Sequence, residues 1–429
     1  MRRNYIKEAK KTKGKVRIAG WVHDVRDLGK LKFVLVRDIT GIMQVLLKKG
    51  VVDDALVDSV KVNKEDVVAF EGEVKENKMV PGGVELVPTL FEHMNKVERK
   101  LPVDPTGVVP SELDTRLDHR YIDLRREDIS LIFRAKSVAA GAFREKLGEL
   151  GFLEMHPSAI SGAATEGGAD VFQLRYFENK AFLVQSPQLH KQLAVIGGFD
   201  KVFMTVPVFR AEKHNTTAHL NEITQMDIEM GFADHDEAMD VLEATTIHML
   251  KRVEEELGEE ISKRFGAEVV VPSKVPRYTY NELVDKLSSN NFEMKHGWDF
   301  TREGEKKLHE ILGDELYFIY DWPTEIRAFY SMPDAEDPST CHAFDLMYRG
   351  MEISSGAKRI HLTSVLEEQL KKRGLDPADF EFYLNAFRMG APPHAGWSIG
   401  LERFVMKLCK QDNIRECMLF PRDRTRLLP

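Results

Sequence analysis

From Val16 to about Val87 the apolar residues fall into short alternating runs: Val16 to Val22, Lys32 to Arg37, Ile42 to Leu47, Asp66 to Glu71 and Val84 to Val87. Gly, Asp and Asn separate the runs, which predicts five strands with a helix-prone interval near Asp53 to Val62. After residue 100 the alternation stops, and Pro102, Pro105 and Pro110 exclude a helix interior there. Helical spacing then takes over. Leu131 to Leu150 reads as an amphipathic helix stopped by Gly151, leading into Phe152-Leu153-Glu154-Met155-His156-Pro157. Acidic helices are predicted over Asp234 to Arg264, and residues 270–330 read as an α-rich insertion. The pattern therefore divides the chain into a β domain (1–100), a hinge (101–125) and a larger domain (126–429), an α+β organisation.

Composition sharpens this division. A chain of 429 residues with 43% hydrophobic content has room for two or three domains with real cores. No run approaches membrane-spanning length, and Met1-Arg2-Arg3-Asn4 is followed by lysines, so a cytoplasmic chain with no membrane partner is expected. Cys341, Cys409 and Cys417 are odd in number and contain no C-x-x-C pair, so they indicate neither a disulfide framework nor a zinc site. The net charge is −8, yet residues 1–50 hold 14 Lys/Arg against 4 Asp/Glu, which leaves +10 there and −18 on the rest. Such asymmetry is expected where an N-terminal domain meets a polyanion, with a solvated lysine-rich tail over Lys7 to Lys15 as the alternative. Five strands and one helix suit an OB-fold β-barrel, which holds single-stranded nucleic acid, and strand count alone leaves a β sandwich open.

Two segments far apart in the larger domain carry the chemistry. The first is Phe209-Arg210-Ala211-Glu212, followed by His219-Leu220-Asn221-Glu222 and Gln225-Met226-Asp227; the second is Gly400-Leu401-Glu402-Arg403. Singly, each is an arginine near an acid, most often a surface ion pair. Together they resemble motifs 2 and 3 of the class II aminoacyl-tRNA synthetases, and the helix, strand and proline from Leu131 to Pro157 resemble motif 1. The P-loop pattern and the HIGH and KMSKS signatures of class I enzymes are absent. The resemblance covers nearly the whole chain and is nearest to aspartyl enzymes of the compact archaeal and eukaryotic type, in subclass IIb. It implies an antiparallel sheet flanked by helices behind an OB-fold anticodon-binding domain, and a homodimer built on motif 1.

The resemblance also implies roles. Arg210 bridges the substrate α-carboxylate and the ATP α-phosphate, and Arg403 contacts the γ-phosphate and flanks adenine, because fixed arginines offset the repulsion between two anions. Glu212, His219, Leu220, Glu352 and Gly400 complete the ATP set; for Glu212 an ion pair with Arg210 is the competing reading. Glu352, supported by Ser355 and Asp345, holds Mg²⁺. Asp345 and Glu352 are seven apart, which in one strand puts them on opposite faces, so a bulge or adjacent turns are required. Ala218 stands where relatives carry a motif 2 arginine, and Ile223 where many carry an aromatic under adenine.

Substrate identity follows from charge. The segment Gln185-Ser186-Pro187-Gln188-Leu189-His190-Lys191 resembles the family's amino-acid motif, which implies that Lys191 and Arg359 place two cations around the amino-acid side chain. A β-carboxylate needs two cations, whereas an amide leaves them uncompensated, which favours L-aspartate over asparagine. Gln188 and Asp227 are expected at the α-ammonium, and Glu166, in Glu166-Gly167-Gly168, on a loop closing over the amino acid. In the β domain, Phe33 and Gln44 match the residues that stack on and bond the central anticodon base, with Arg26 as a third contact; a barrel-core role for Phe33 stays open. His23 and Pro81 resemble the relaxed enzymes that charge both tRNA-Asp and tRNA-Asn, where strict archaeal enzymes tend to hold tryptophan and lysine. An asparaginyl enzyme and a tRNA-independent amide-forming ligase are the alternatives.

Overall fold

The computed structural model describes residues 2–162, 170–214 and 216–429. The chain divides into two compact units, Met1–Ser130 and Leu131–Pro429. Among the described residues no helix is long and apolar enough to cross a membrane.

The first unit is a closed five-stranded barrel built from β1 (Lys15–Asp27), β2 (Leu31–Asp38), β3 (Gly41–Lys48), β4 (Val67–Glu76) and β5 (Val84–Asn95), paired in the order β1-β2-β3-β5-β4 and back to β1. Closure decides against the sandwich. Period-two alternation sends Val34 and Val36 of β2, and Met43, Val45 and Leu47 of β3, into one core. Helix α1 (Ile6–Ala9) drives Ile6 and Ala9 into the same core, so the basic N-terminus is anchored and is not a free tail. Helix α2 (Asp54–Ser59) fills the predicted interval, with the Asp53 carboxylate accepting from the Ala55 amide. The segment read as a hinge contains two short helices, α3 (Leu113–Asp118) and α4 (Arg120–Asp123).

In the second unit, α5 (Glu127–Glu149) leads to β6 (Leu153–Glu154), the short strands β7 (Ile160–Ser161), β8 (Gln173–Tyr176) and β9 (Asn179–Leu183), α6 (Gln188–Ile196), β10 (Lys201–Phe209), β11 (Glu222–Gly231) and α7 (His235–Phe265). Then come β12 (Arg277–Thr279), α8 (Tyr280–Ser289), α9 (Arg302–Leu312), β13 (Leu316–Pro323), β14 (Thr340–Tyr348), β15 (Glu352–Arg359), α10 (Thr363–Lys372), α11 (Glu381–Arg388), β16 (His394–Gly400) and α12 (Leu401–Leu408). Eight strands form one sheet in the order β12-β13-β14-β15-β16-β11-β10-β6. Its centre is antiparallel as expected, but both edges, β12 on β13 and β6 on β10, are parallel. Residues 270–330 are therefore not simply an α-rich insertion: they supply two helices and also two strands of this sheet.

Local chemistry sets the boundaries. Helix α7 opens on a capping box, Asp234 with Glu237, and closes on Gly266 in the left-handed region. Asp345 and Glu352 are not in one strand. Tyr348 and Met351 exchange backbone hydrogen bonds around Arg349 and Gly350, both with positive φ, which is the tight turn a two-residue hairpin demands. The two acids thus sit on neighbouring strands, β14 and β15, and a bulge between Leu346 and Met347 shifts the register.

Candidate functional site

Strand β11, strand β15, the end of β16 and the start of α12 surround a cleft of about 120 Å³. It is lined by Arg210, Glu212, His219, Leu220, Glu352, Gly400 and Arg403, so all seven residues of the expected ATP set share one cavity. Ser355 and Ser398 also face it. Helix α12 is fixed by Glu402, which accepts from the Thr224 amide (2.9 Å) and pairs with Lys136 (2.6 Å); this aims the next residue, Arg403, inward. Arg403 Nη1 reaches the Glu352 carbonyl (3.3 Å), and its Nη2 lies 3.3 Å from His219 Nε2. Among the described residues no ion pair joins Glu212 to Arg210. Ala218, Ile223 and Ile414 give the cleft an apolar wall where an aromatic was expected.

Beneath the cleft lies a buried quartet. Lys191 on α6 donates to Asp227 Oδ1 (2.9 Å) and lies 3.5 Å from Glu229 Oε2; Arg359 on β15 donates to Glu229 Oε1 (3.0 Å) and to the Gly396 carbonyl (2.8 Å). All four side chains are almost wholly excluded from water. Asp227 and Glu229 are two apart on β11 and so share a face. A Cβ at Gly396 would stand 2.2 Å from Glu229 Oε2, so only glycine lets the carboxylate in. Burial lifts the Asp227 carboxyl above its usual range despite Lys191, while for Glu229 burial is outweighed by Arg359 and Lys191, which hold it low. Ser398 donates to Asp227 Oδ2 (3.1 Å) and links quartet to cleft.

This arrangement corrects the charge argument. Lys191 and Arg359 are not two unmatched cations, because Asp227 and Glu229 already balance them. Gln188 donates to Gln192 (2.9 Å) on its own helix. Asp345, expected to support a metal, has both oxygens taken by Arg327 (2.6 and 2.9 Å), and Arg327 Nη2 also donates to Ser355 (2.6 Å). Glu352 is the open carboxylate, 3.7 Å from Arg403. Near it, burial and then the charge of Glu352 push Glu305 up to about 8, against the pull of Arg403. Glu166 lies outside the described residues.

A model of the tRNA synthetases class II (D, K and N) matches residues 112–424, and a model of the OB-fold nucleic acid binding domain matches residues 16–93. The chain belongs to the class II tRNA synthetases. This synthetase is 48% identical over 414 residues (96% of its length, 94% of the relative's) to the aspartate–tRNA(Asp/Asn) ligase of Methanocaldococcus jannaschii. It is 47% identical over 422 residues (97% and 96%) to the aspartate–tRNA(Asp) ligase of Pyrococcus furiosus. Its fold matches the asparaginyl-tRNA synthetase of Pyrococcus horikoshii complexed with asparaginyl-adenylate, with a TM-score of 0.94, 34% identity and full coverage of both chains.

On the synthetase's barrel, Arg26 of β1 is paired with Phe33 of β2, and Gln44 of β3 stands opposite Leu35, two residues along from Phe33. Phe33 alternates with the buried Val34 and Lys32, so it faces outward and is not a core side chain. Gln44 donates to Glu85 (2.7 Å), and Arg26 is exposed. His23 stands at a bulge in β1, its Nδ1 2.9 Å from Arg37, which in turn pairs with Glu65 (2.8 Å). Pro81 is exposed in the β4–β5 turn.

Sequence reasoning missed Glu229, Arg327, Glu305 and Ser398. Glu229 had a signal, its two-residue spacing from Asp227 on a strand. Ser398 and Arg327 depend on distant pairings, β11 with β16 and β13 with β14, and Glu305 on the approach of α9 to Glu352, none of which local periodicity carries.

Proposed function

We propose that this synthetase activates L-aspartate with ATP to aspartyl-adenylate and transfers the aspartyl group to the 3′ end of tRNA, both tRNA-Asp and tRNA-Asn. The observation that carries the choice of amino acid is the neutral quartet. Of the quartet's two acids, Asp227 is the one lifted by burial, so it has room for further positive charge, which a substrate α-ammonium supplies. The ammonium alone would leave the buried group one charge positive. A β-carboxylate beside Lys191 and Arg359 restores neutrality, whereas the amide of asparagine does not, and an uncompensated buried charge costs several kcal/mol, about 3–5.

With the α-carboxylate held by Arg210 at the α-phosphate, its oxygen attacks phosphorus in line and pyrophosphate leaves. Arg403 and Arg210 offset the charge that builds up on the phosphates. The 3′-hydroxyl of the terminal adenosine then attacks the aspartyl carbonyl, AMP leaves, and a phosphate oxygen accepts the hydroxyl proton. No side chain is assigned as a base. Mg²⁺ fits this donor set: Glu352 is an open carboxylate on the cleft, and Ser355, though it accepts from Arg327, keeps a second lone pair on its hydroxyl. When bound by Glu352 and Ser355, such an ion supplies charge neutralisation at the phosphates.

Phe33, Gln44 and Arg26, sharing an outer face, are the surface for the anticodon. The relaxed tRNA choice rests on His23 and Pro81, since relatives named for one tRNA and for two are almost equally similar. A cytoplasmic homodimer, joined through motif 1, completes the reading. Aspartate-dependent ATP–pyrophosphate exchange tests the activation step, and exchange with asparagine alone would overturn it. Charging of both tRNA transcripts tests the second, and aspartylation of tRNA-Asp only would remove tRNA-Asn.

A further inference from the structure

Three side chains that do not line the cleft converge on another part of the second unit. His235 is the first residue of α7, His342 belongs to β14, and Asp321 occupies a bulge in β13 between Tyr320 and Trp322. The two imidazoles stack, with centroids 4.5 Å apart and planes inclined by 21°. One ligand atom from each of the three residues lies within 4.8 Å of the other two.

The details are those of a ligand set and not of packed surface groups. The Nδ1 atoms of His235 and His342 are both buried and, among the described residues, have no hydrogen-bond partner. Buried polar atoms are almost always satisfied, so two orphan lone-pair sites in stacked rings need an occupant. His342 is approached from its other side by Asp334, whose carboxylate is 3.3 Å from Nε2. A carboxylate behind an imidazole fixes its tautomer and orientation for a metal at the opposite nitrogen. Asp321 has φ of +57°, a left-handed conformation that is strained for a residue other than glycine, and the bulge re-aims its carboxylate. Of the charges acting on His342 and Asp321, those of Asp334 and Asp236 outnumber Lys358.

We propose that His235, Asp321 and His342 form a divalent transition-metal site, suited to zinc, with Asp334 orienting His342 from behind and a fourth position open to water. Two imidazoles and one carboxylate exclude a preference for magnesium or calcium, which take oxygen. Zinc bonds of 2.0–2.1 Å set tetrahedral ligands roughly 3.3 Å apart, a contraction that side-chain rotation supplies. A metal here ties the start of α7 to β13 and β14 and has no part in the adenylation chemistry.

The test uses the full chain, stripped with a chelator and titrated with zinc by calorimetry and with cobalt by visible absorption. The expected result is one zinc bound per chain, with the intense visible band of four-coordinate cobalt, kept in Glu352→Gln and lost in His342→Ala and in Asp321→Asn. Asp334→Asn should weaken zinc binding by about 10–100-fold. Circular dichroism checks that each variant is folded; if His342→Ala is not, Asp321→Asn decides. No zinc uptake by the wild-type chain, or undiminished uptake by a folded Asp321→Asn variant, overturns the proposal.

Discussion

Replacing Glu229 by glutamine keeps the shape of the side chain and removes one of the two anions that balance Lys191 and Arg359. The surviving amide oxygen can still accept from Arg359 Nε, now 3.0 Å from Glu229 Oε1, but the buried group is left one charge positive. Breaking a buried pair in this way costs about 3–5 kcal/mol. At roughly 2 °C per kcal/mol for a unit of this size, the melting temperature should fall by roughly 6–10 °C at pH 7. The pH dependence gives a second reading. Glu229 is held below the ordinary value of 4.5, so its contribution is complete above that pH and is lost as pH falls through the depressed folded value. Asp227, lifted by burial, acts in the opposite sense, and comparing wild type with Glu229→Gln separates the two. Differential scanning fluorimetry between pH 4 and 8, about the range where the chain should stay folded, measures both effects. A variant melting within about 2 °C of wild type at pH 7, or a gap that widens below pH 4.5, refutes a balanced quartet.

Three further predictions follow from the same geometry. Gly396→Ala pushes a methyl group against the Glu229 carboxylate and the Ile228 carbonyl, 2.2 and 2.3 Å away, and should cost about 1–3 kcal/mol or more in urea unfolding, since backbone cannot yield as a side chain can. Arg210→Lys loses the planar fork and should slow aspartate-dependent pyrophosphate exchange by about 10²–10³-fold, chiefly in kcat; a change under about tenfold argues against its place at the reacting phosphate. Asp423, held at about 2 against the effect of burial by the Thr425 and Arg426 amides and by Arg415, should give an Asn variant about 1 kcal/mol less stable at pH 7 after allowing for solvent screening. That deficit should shrink as pH falls from 3.8 towards 2, and a constant deficit would refute the assignment.

The barrel was legible because period-two alternation and short turns are local signals; which face Phe33 takes was not, and it follows only once the structure puts Val34 and Val36 in the core. Motif resemblance picked out seven residues expected at ATP, and the structure brings all seven to one cleft. What the chain did not reveal was compensation. Lys191 and Arg359 read as free cations because the acids that match them arrive through sheet pairing, and Asp345 read as an open ligand because Arg327 lies beyond the end of β13. The parallel edges were harder: β12, with three residues, carries too little pattern to separate from loop, and the strand expected after α5, now β6, gave no local sign of its parallel pairing with β10.

Strand β11 leaves the ribosome long before β16, its neighbour in the sheet, for Gly231 and His394 are separated by most of the second unit. At about 5–20 residues per second, the growing polypeptide carries an unpaired edge at β11 for on the order of ten to thirty seconds. During that interval neither Ser398 nor Arg403 exists, so a nascent second unit lacks this cleft and has an edge open to wrong pairing. An enzyme that supplies translation thus becomes competent only after β16 and α12 of its own chain have been translated.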